Sequence, residues 1–324
     1  MKVSVVMTVR KINDFVRESI PYILKQTHKN FEIIVLSEIK GREKWQKTKI
    51  IKIDKMSPAA ARNLGVEKAK GEIIAFIDDD AYPDKKWVEN GLKYFKDKKI
   101  GAVAGPGLNP KNAGFKETLS GLVYETSGEK TGIRYKKGKK QEVDDWPTCN
   151  LLIRKKDYLA CGGFSTQYWG GEDTQLCYNL TQKLGKKIIY DPEVIVYHHR
   201  RDKIRKHLKQ SYFWGLWRGF FIREYPETSR KITYMIPAFF VFFIVLGFLL
   251  SFFSIFIKTI YISILILYFF FLIFIGAQTN LKYFFPVIFL SFLTQIVYGL
   301  GIMRGFLSKV PTKRTFNPRA EKIK

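Results

Sequence analysis

The chain is short of cysteine and of acid. Three cysteines occur in 324 residues: Cys149, Cys161 and Cys177. The number is odd and no CxxC pair is present, which excludes a disulfide framework and a cysteine zinc cage and favours a reduced, cytosol-facing compartment. Asp and Glu total 29 against 55 Lys and Arg, a formal net charge of +26. No acid at all lies between Glu227 and Glu321. Such a surplus needs an anionic partner, which could be nucleic acid, a membrane surface or a phosphorylated substrate. Wholesale disorder is excluded: 46% of the residues are hydrophobic and 15% aromatic, more apolar material than a chain held open by its charge contains.

What the acids vacate, apolar residues fill. From Ile232 to Leu307 the only formal charges are Lys258, Lys282 and Arg304. Three blocks lie there, Tyr234 to Ile257, Thr259 to Ala277 and Tyr283 to Gly305. Each supplies the roughly 20 residues that cross about 30 Å of hydrocarbon at about 1.5 Å per residue. Runs such as PAFFVFFIVLGFLL are apolar on every side, which suits lipid better than one face of a soluble core. Just upstream, Arg200, Arg201, Lys203, Arg205, Lys206 and Lys209 precede Tyr212, Phe213, Trp214, Trp217, Phe220 and Phe221. Basic residues followed by aromatics beside a spanning segment predict an interfacial helix on an anionic leaflet. With the charge placed there and no groove-reading motif, nucleic acid drops out as the partner.

The expected organisation is a domain over 1–200, a basic and aromatic juxtamembrane helix over 201–231, about three transmembrane segments over 232–307, and a basic tail over 308–324. Lys and Arg collect on the cytoplasmic side, so the first domain should face the cytosol from a multi-pass protein of the cell membrane. The basic tail should lie on that side too. Both ends inside require an even number of crossings, yet three blocks are visible. Either one block is a hairpin or lies in the interface, or the tail is an exception.

The N-terminal stretch MKVSVVMTVR is too short and too soon followed by charge for a signal peptide. It reads as a buried strand, Val3 to Met7. Further strands follow at Phe31 to Leu36, Lys49 to Ile53 and Gly71 to Ile77, with helical patterns over Asn13 to Gln26 and after Ser57. In the latter, Ser57 is placed as N-cap with Pro58 at the first helical position and Gly71 beyond the end. Strands alternating with helices predict a parallel α/β sheet, whose ligands bind at the carboxyl ends of the strands. The last of these strands runs straight into Asp78, Asp79 and Asp80. Three carboxylates at one strand end repel each other and call for a compensating cation, and hard oxygen donors suit Mg²⁺ or Mn²⁺.

Taken together, SPAAARNLG, KGEIIAFIDDDAYP, TCNLLIRKKDYLACGGF and GGEDTQLCYNLTQKLG resemble the family 2 glycosyltransferases over about residues 1 to 200. QSYFWGLWRGFF followed by apolar helices resembles their membrane-anchored, succinoglycan glucosyltransferase-like members that build surface polysaccharides. The resemblance implies a GT-A fold, a mixed and mostly parallel sheet with helices on both faces. It implies a DxD metal motif on Asp78 and Asp80, and an ED motif on Glu172 and Asp173. Asp173 is then the general base and Glu172 a residue that orients the site or binds acceptor. One base acting in a single displacement implies inversion at the anomeric carbon. Thr8, Arg10, Glu38, Arg62, Asp78 and Asp79 are the expected contacts of a nucleotide-diphospho-sugar. Glu38 stands where the family usually has Asp, which leaves the base of the donor open. One of His198 and His199 is expected at the metal, and His198 is taken as the candidate. Gln210 and Trp214 resemble the QxxRW of processive relatives, but the Arg-Trp pair is missing and processive synthesis is not expected. The expected acceptor is a hydroxyl of a lipid-linked or cell-surface glycan. A lipid phosphate acceptor and an inactive membrane scaffold are the rival readings.

Overall fold

The computed structural model describes residues 1–39, 41–128, 132–168 and 170–309. The basic tail past 309 lies outside the described residues. Two compact units emerge, one of residues 1–111 with 132–199 and one of residues 112–128 with 200–309.

The first unit is an eight-stranded sheet. Its strands are β1 (Val3–Val9), β2 (Phe31–Ser37), β3 (Thr48–Lys52), β4 (Ile73–Ile77), β6 (Ile100–Ala104), β8 (Gln141–Val143), β9 (Asn150–Arg154) and β10 (Lys187–Tyr190). They lie in the order β3-β2-β1-β4-β9-β6-β10-β8. β9 runs antiparallel to both neighbours and β8 antiparallel to β10, while the remaining pairs are parallel. A smaller sheet joins β5 (Ala81–Pro83), β11 (Val196–His198) and β7 (Gly107–Leu108). This is the mixed, mostly parallel sheet that the sequence leads one to expect.

Period-two alternation explains why the sheet is covered on both sides. Val5, Met7, Ile33, Val35, Ala75 and Ile77 face a core shared with α1 (Asp14–Leu24) and α3 (Trp87–Leu92). Val6, Ile34, Leu36, Ile74 and Phe76 face the opposite core, with α2 (Pro58–Lys68), α5 (Lys155–Ala160) and α6 (Glu172–Tyr178). Ser57 caps α2 as expected, its Oγ accepting from the Ala60 N–H at 3.2 Å, and Pro58 opens the helix.

The second unit is helical: α4 (Phe115–Glu125), α7 (Ile204–Glu224), α8 (Ile232–Leu250), α9 (Ile255–Ala277) and α10 (Leu281–Leu307). The last three are long and apolar enough to cross a membrane. On α7, Trp217, Phe220 and Phe221 are buried in protein, while Trp214 stays exposed. The reason lies in glycine. A Cβ at Gly215 or Gly219 would fall within 2.2 Å of the Tyr298 or Ile302 carbonyl oxygen of α10, so the two backbones nearly touch. His207 is fully buried between them and α4. Its Nδ1 meets Ser120 Oγ at 2.8 Å and its Nε2 meets Thr294 Oγ1 at 2.9 Å. Burial pushes this imidazole down to about 4, so a neutral ring joins three helices through two hydroxyls.

Candidate active site

β1, β2 and β4 end together. Val9 pairs with Ser37 and Val6 with Phe76, so Thr8, Arg10, Glu38 and Asp78 gather at one carboxyl edge. The strand order reverses between β2-β1 and β4, which is where open α/β sheets bind ligands. Arg10 Nε stands 4.0 Å from Glu38 Oε2.

The three aspartates after β4 do not share one role. Asp78 Oδ1 accepts from Arg62 Nη2 at 3.0 Å. Asp79 Oδ2 accepts from the Asn13 amide at 3.0 Å, and Asn13 Oδ1 caps α1 by accepting from the Val16 N–H at 2.9 Å. Asp80 Oδ1 lies 2.9 Å from His198 Nε2. β11 pairs with β5 directly after the aspartates, His198 opposite Ala81, and this pairing is what delivers His198 to Asp80. Its neighbour His199 turns instead to Glu18, with Nε2 at 2.8 Å from Oε2. Candidate ligand atoms of Asp78, Asp80 and His198 fall within 4.8 Å of one another. Two carboxylates and one imidazole form a donor set that Mg²⁺ and, through the imidazole, Mn²⁺ accept. The residues fit the expected ion.

Arg62 is the hinge pin of the edge. Expected to contact the base or diphosphate, it has its guanidinium committed on two sides, Nη2 to Asp78 and Nη1 to Glu172 Oε1 at 2.9 Å. It thereby ties the end of β4 to the start of α6. Gly171 precedes that helix with φ of 75°, a left-handed conformation that glycine adopts without strain, and Glu172 and Asp173 follow in the first turn. Asp173 accepts from the Thr174 N–H at 2.9 Å. Burial, then the Glu172 and Asp145 carboxylates, push its carboxyl up to about 7; the Thr174 N–H and Arg62 pull the other way.

Asp145 escapes a sequence reading. It is buried, ion-paired with Arg134 Nη2 at 3.2 Å, and it accepts from Thr174 Oγ1 at 3.0 Å. Its signal, Asp144–Asp145 before a tryptophan, is visible, but no spacing rule joins residue 145 to residue 173. Asn150 of the TCN motif is structural. Its Oδ1 accepts from Trp87 Nε1 at 2.8 Å, and its Nδ2 donates to the carbonyls of Pro106 and Val194 at 3.0 and 2.7 Å.

Replacing Arg62 by Ala leaves Asp78 and Glu172 without their shared cation at a largely buried position. The expected loss of turnover is on the order of 100-fold, the scale of an ångström-sized misplacement of reacting groups. Lys, a point charge that cannot fork between two carboxylates, should recover little of it. Steady-state kinetics of the two variants check this.

Residues 4–159 match the family model of glycosyl transferase family 2. Among curated proteins, the pre-mycofactocin glycosyltransferase of Mycobacterium tuberculosis is 27% identical over 172 residues, 49% of this chain and 33% of that protein. A Methanococcus voltae protein is 21% identical over 207 residues, covering 62% of each chain. It is named dolichyl N-acetyl-α-D-glucosaminyl phosphate 3-β-D-2,3-diacetamido-2,3-dideoxy-β-D-glucuronosyltransferase. The chain thus spans about a third of the first of these relatives. Among solved structures, a Pyrobaculum calidifontis mannosyltransferase in complex with GDP-Man and Mn²⁺ superposes with a TM-score of 0.50 at 16% identity, over 66% of this chain and 62% of that one. That likeness is one of fold.

Proposed function

With a family 2 glycosyltransferase domain over residues 4–159 as premise, we propose that the protein moves a sugar, with inversion, from a nucleotide-diphospho-sugar to a hydroxyl of a lipid-linked glycan at the cytoplasmic face of the membrane. The observation that carries the reading is the convergence of Asp78, Asp80 and His198 at the carboxyl end of β4, on the edge that receives Glu172 through Arg62. Asp78, Asp80 and His198 would hold Mg²⁺ or Mn²⁺, which supplies charge neutralisation for a departing diphosphate. Thr8, Arg10 and Glu38 line the edge where the nucleoside would lie.

Asp173 is the general base. A carboxyl held near 7 is poised to take the acceptor hydroxyl's proton at neutral pH. Glu172, pinned by Arg62, stays beside it as a fixed carboxylate. The glycosidase alternative needs two carboxyls flanking the bond, one of them an acid; here the second carboxylate is neutralised by an arginine. A hydroxyl acceptor is favoured over a bare lipid phosphate, because an acceptor phosphate arrives already ionised and needs no base. The name of the Methanococcus voltae relative, a glycosyltransferase acting on a dolichyl-phosphate-bound sugar, agrees with that choice.

The test is turnover of a panel of UDP- and GDP-sugars with polyprenyl phosphate and polyprenyl-phosphate-linked sugars as acceptors. Activity should vanish with EDTA and return with Mg²⁺ or Mn²⁺. Label appearing on bare polyprenyl phosphate, and not on the sugar-bearing lipid, replaces this reading with lipid-phosphate transfer.

A further inference from the structure

α8 and α9 form an antiparallel hairpin. Phe240 meets Tyr268 at a centroid distance of 4.1 Å, and Phe243 meets Tyr261 at 5.3 Å. Its tip is residues 251–254; its base holds the start of α8 and the end of α9. α10 touches the base at Gly276, where a Cβ would lie 2.9 Å from Ile288, and near the start of α8, where a Cβ at Gly299 would lie 2.3 Å from the Pro237 carbonyl oxygen; between them Tyr268, midway along the hairpin, donates to Gln295 Oε1 at 2.9 Å.

The decisive residue is Ile302. From Leu281 to Ile302 a helix advances about 32 Å at about 1.5 Å per residue, enough to cross about 30 Å of hydrocarbon. A crossing α10 would therefore bring Ile302 beside the hairpin tip. Instead its backbone abuts Gly219, whose neighbour Arg218 donates to Ser229 Oγ at 3.0 Å and stacks on Tyr234 at 4.3 Å. Ser229 and Tyr234 mark the beginning of α8, the end remote from the tip. α10 thus starts and finishes at the base.

Its surroundings agree. α4 and α7 cover one side through Leu119, Val123, His207 and Gly215. On the other, Phe285, Phe289, Leu300, Met303 and Leu307 are exposed within an arc of about 60° at about 100° per residue, and the exposed Leu281 and Phe306 widen this face to about 120°. Cations crowd the base, with Arg218, Arg223, Arg230, Lys231, Lys282 and Arg304, whereas the tip has Lys258. That is the asymmetry of a cytoplasmic face set against anionic headgroups.

We propose that α10 does not cross the bilayer but lies in the headgroup plane of an anionic leaflet, with α7 and α4 above it, so that the α8–α9 hairpin is the crossing element and Lys309 lies on the face from which α8 enters. This rests on the membrane residence proposed above and settles the parity of crossings at two.

The test uses the full chain carrying Cys149→Ser. Spin labels on cysteines introduced at Phe285, Phe289, Leu300 and Leu307 are read for depth in liposomes containing anionic phospholipid. The four depths should agree within about one helical turn, roughly 5 Å. In sealed right-side-out vesicles, Phe253→Cys should react with an impermeant maleimide, whereas Lys309→Cys and the domain control Lys98→Cys should react only after permeabilisation. A depth profile that peaks between Phe289 and Leu300, or Lys309→Cys labelling from outside, overturns the proposal. Release of the protein by alkaline carbonate, with no label in lipid, removes the membrane reading itself and is recognisable as that separate failure.

Discussion

Asp173→Asn is expected to lower sugar transfer by about a thousandfold, in the middle of the 100- to 10,000-fold range that a positioned base contributes, while the protein stays folded. The substitution keeps the volume and the oxygen that accepts from the Thr174 N–H; it removes only the capacity to take a proton. The pH behaviour separates this from structural damage. In the wild type the carboxyl is held up at about 7 by burial and by Glu172 and Asp145, against roughly 3.9 when unfolded. Between those values the native state binds more protons than the unfolded one. The stability this contributes is present in full below the unfolded value and is lost as pH rises through about 7. The Asn variant has no such slope, so at pH 8 it should melt above the wild type, and the advantage should shrink as pH falls toward 4. The activity of the wild type should in turn fall below pH 7, because the base must be ionised. Calorimetry and the pH dependence of kcat/KM read both. Full activity in the Asn variant sinks the assignment of the base, and lost activity with a lower melting temperature at pH 8 would mark Asp173 as structural.

The parts legible in the sequence are those written in local periods. Short apolar runs such as VSVVM and FEIIVL became β1 and β2, Ser57-Pro58 opened α2, and the three apolar blocks became α8, α9 and α10, with α8 ending at Leu250 where its block was expected to reach Ile257. The aspartate turn was visible because it ends a strand. Its partners were not, because they come from distant segments. Nothing in residue 13 announces that its amide will hold Asp79 while its oxygen caps α1. His198 and His199 are equal in sequence; strand pairing of β11 with β5 sends one to Asp80 and the other to Glu18. Arg62 stands out in the sequence, but its partners do not, since the ion pairs that occupy it span 16 and 110 positions. For the same reason the burial of Trp217, Phe220 and Phe221 was not legible: it depends on a helix some 80 residues later.

That helix contact carries the largest expected structural effect. Gly215 and Gly219 on α7 face Gly301 and Gly305 on α10, each pair spaced by four and so aligned on one side of its helix. A Cβ at Gly219 would sit 2.1 Å from the Ile302 carbonyl oxygen, and one at Gly305 1.9 Å from that of Leu216. The obstructing atoms are backbone, so no side chain can rotate away; the helices must separate. Such close approach lets the two backbones make dispersion contacts along the seam with no side chain between them. Separation breaks the His207–Thr294 hydrogen bond of 2.9 Å and opens the cover over Phe220 and Phe221. Overpacking by a methyl typically costs about 1–3 kcal/mol, which in a protein of this size moves the melting point by about 2–4 °C per kcal/mol. Gly219→Ala is therefore expected to lower the melting temperature in detergent by several degrees, and Gly219→Leu to prevent accumulation of monodisperse protein. Gly114, where an added Cβ meets nothing within 4 Å, provides the control, and Gly114→Ala should be neutral. A Gly219→Leu protein as stable as the wild type would mean that α7 and α10 do not meet through this seam, and Ile302 would lose the contact that anchors α10 to the hairpin base.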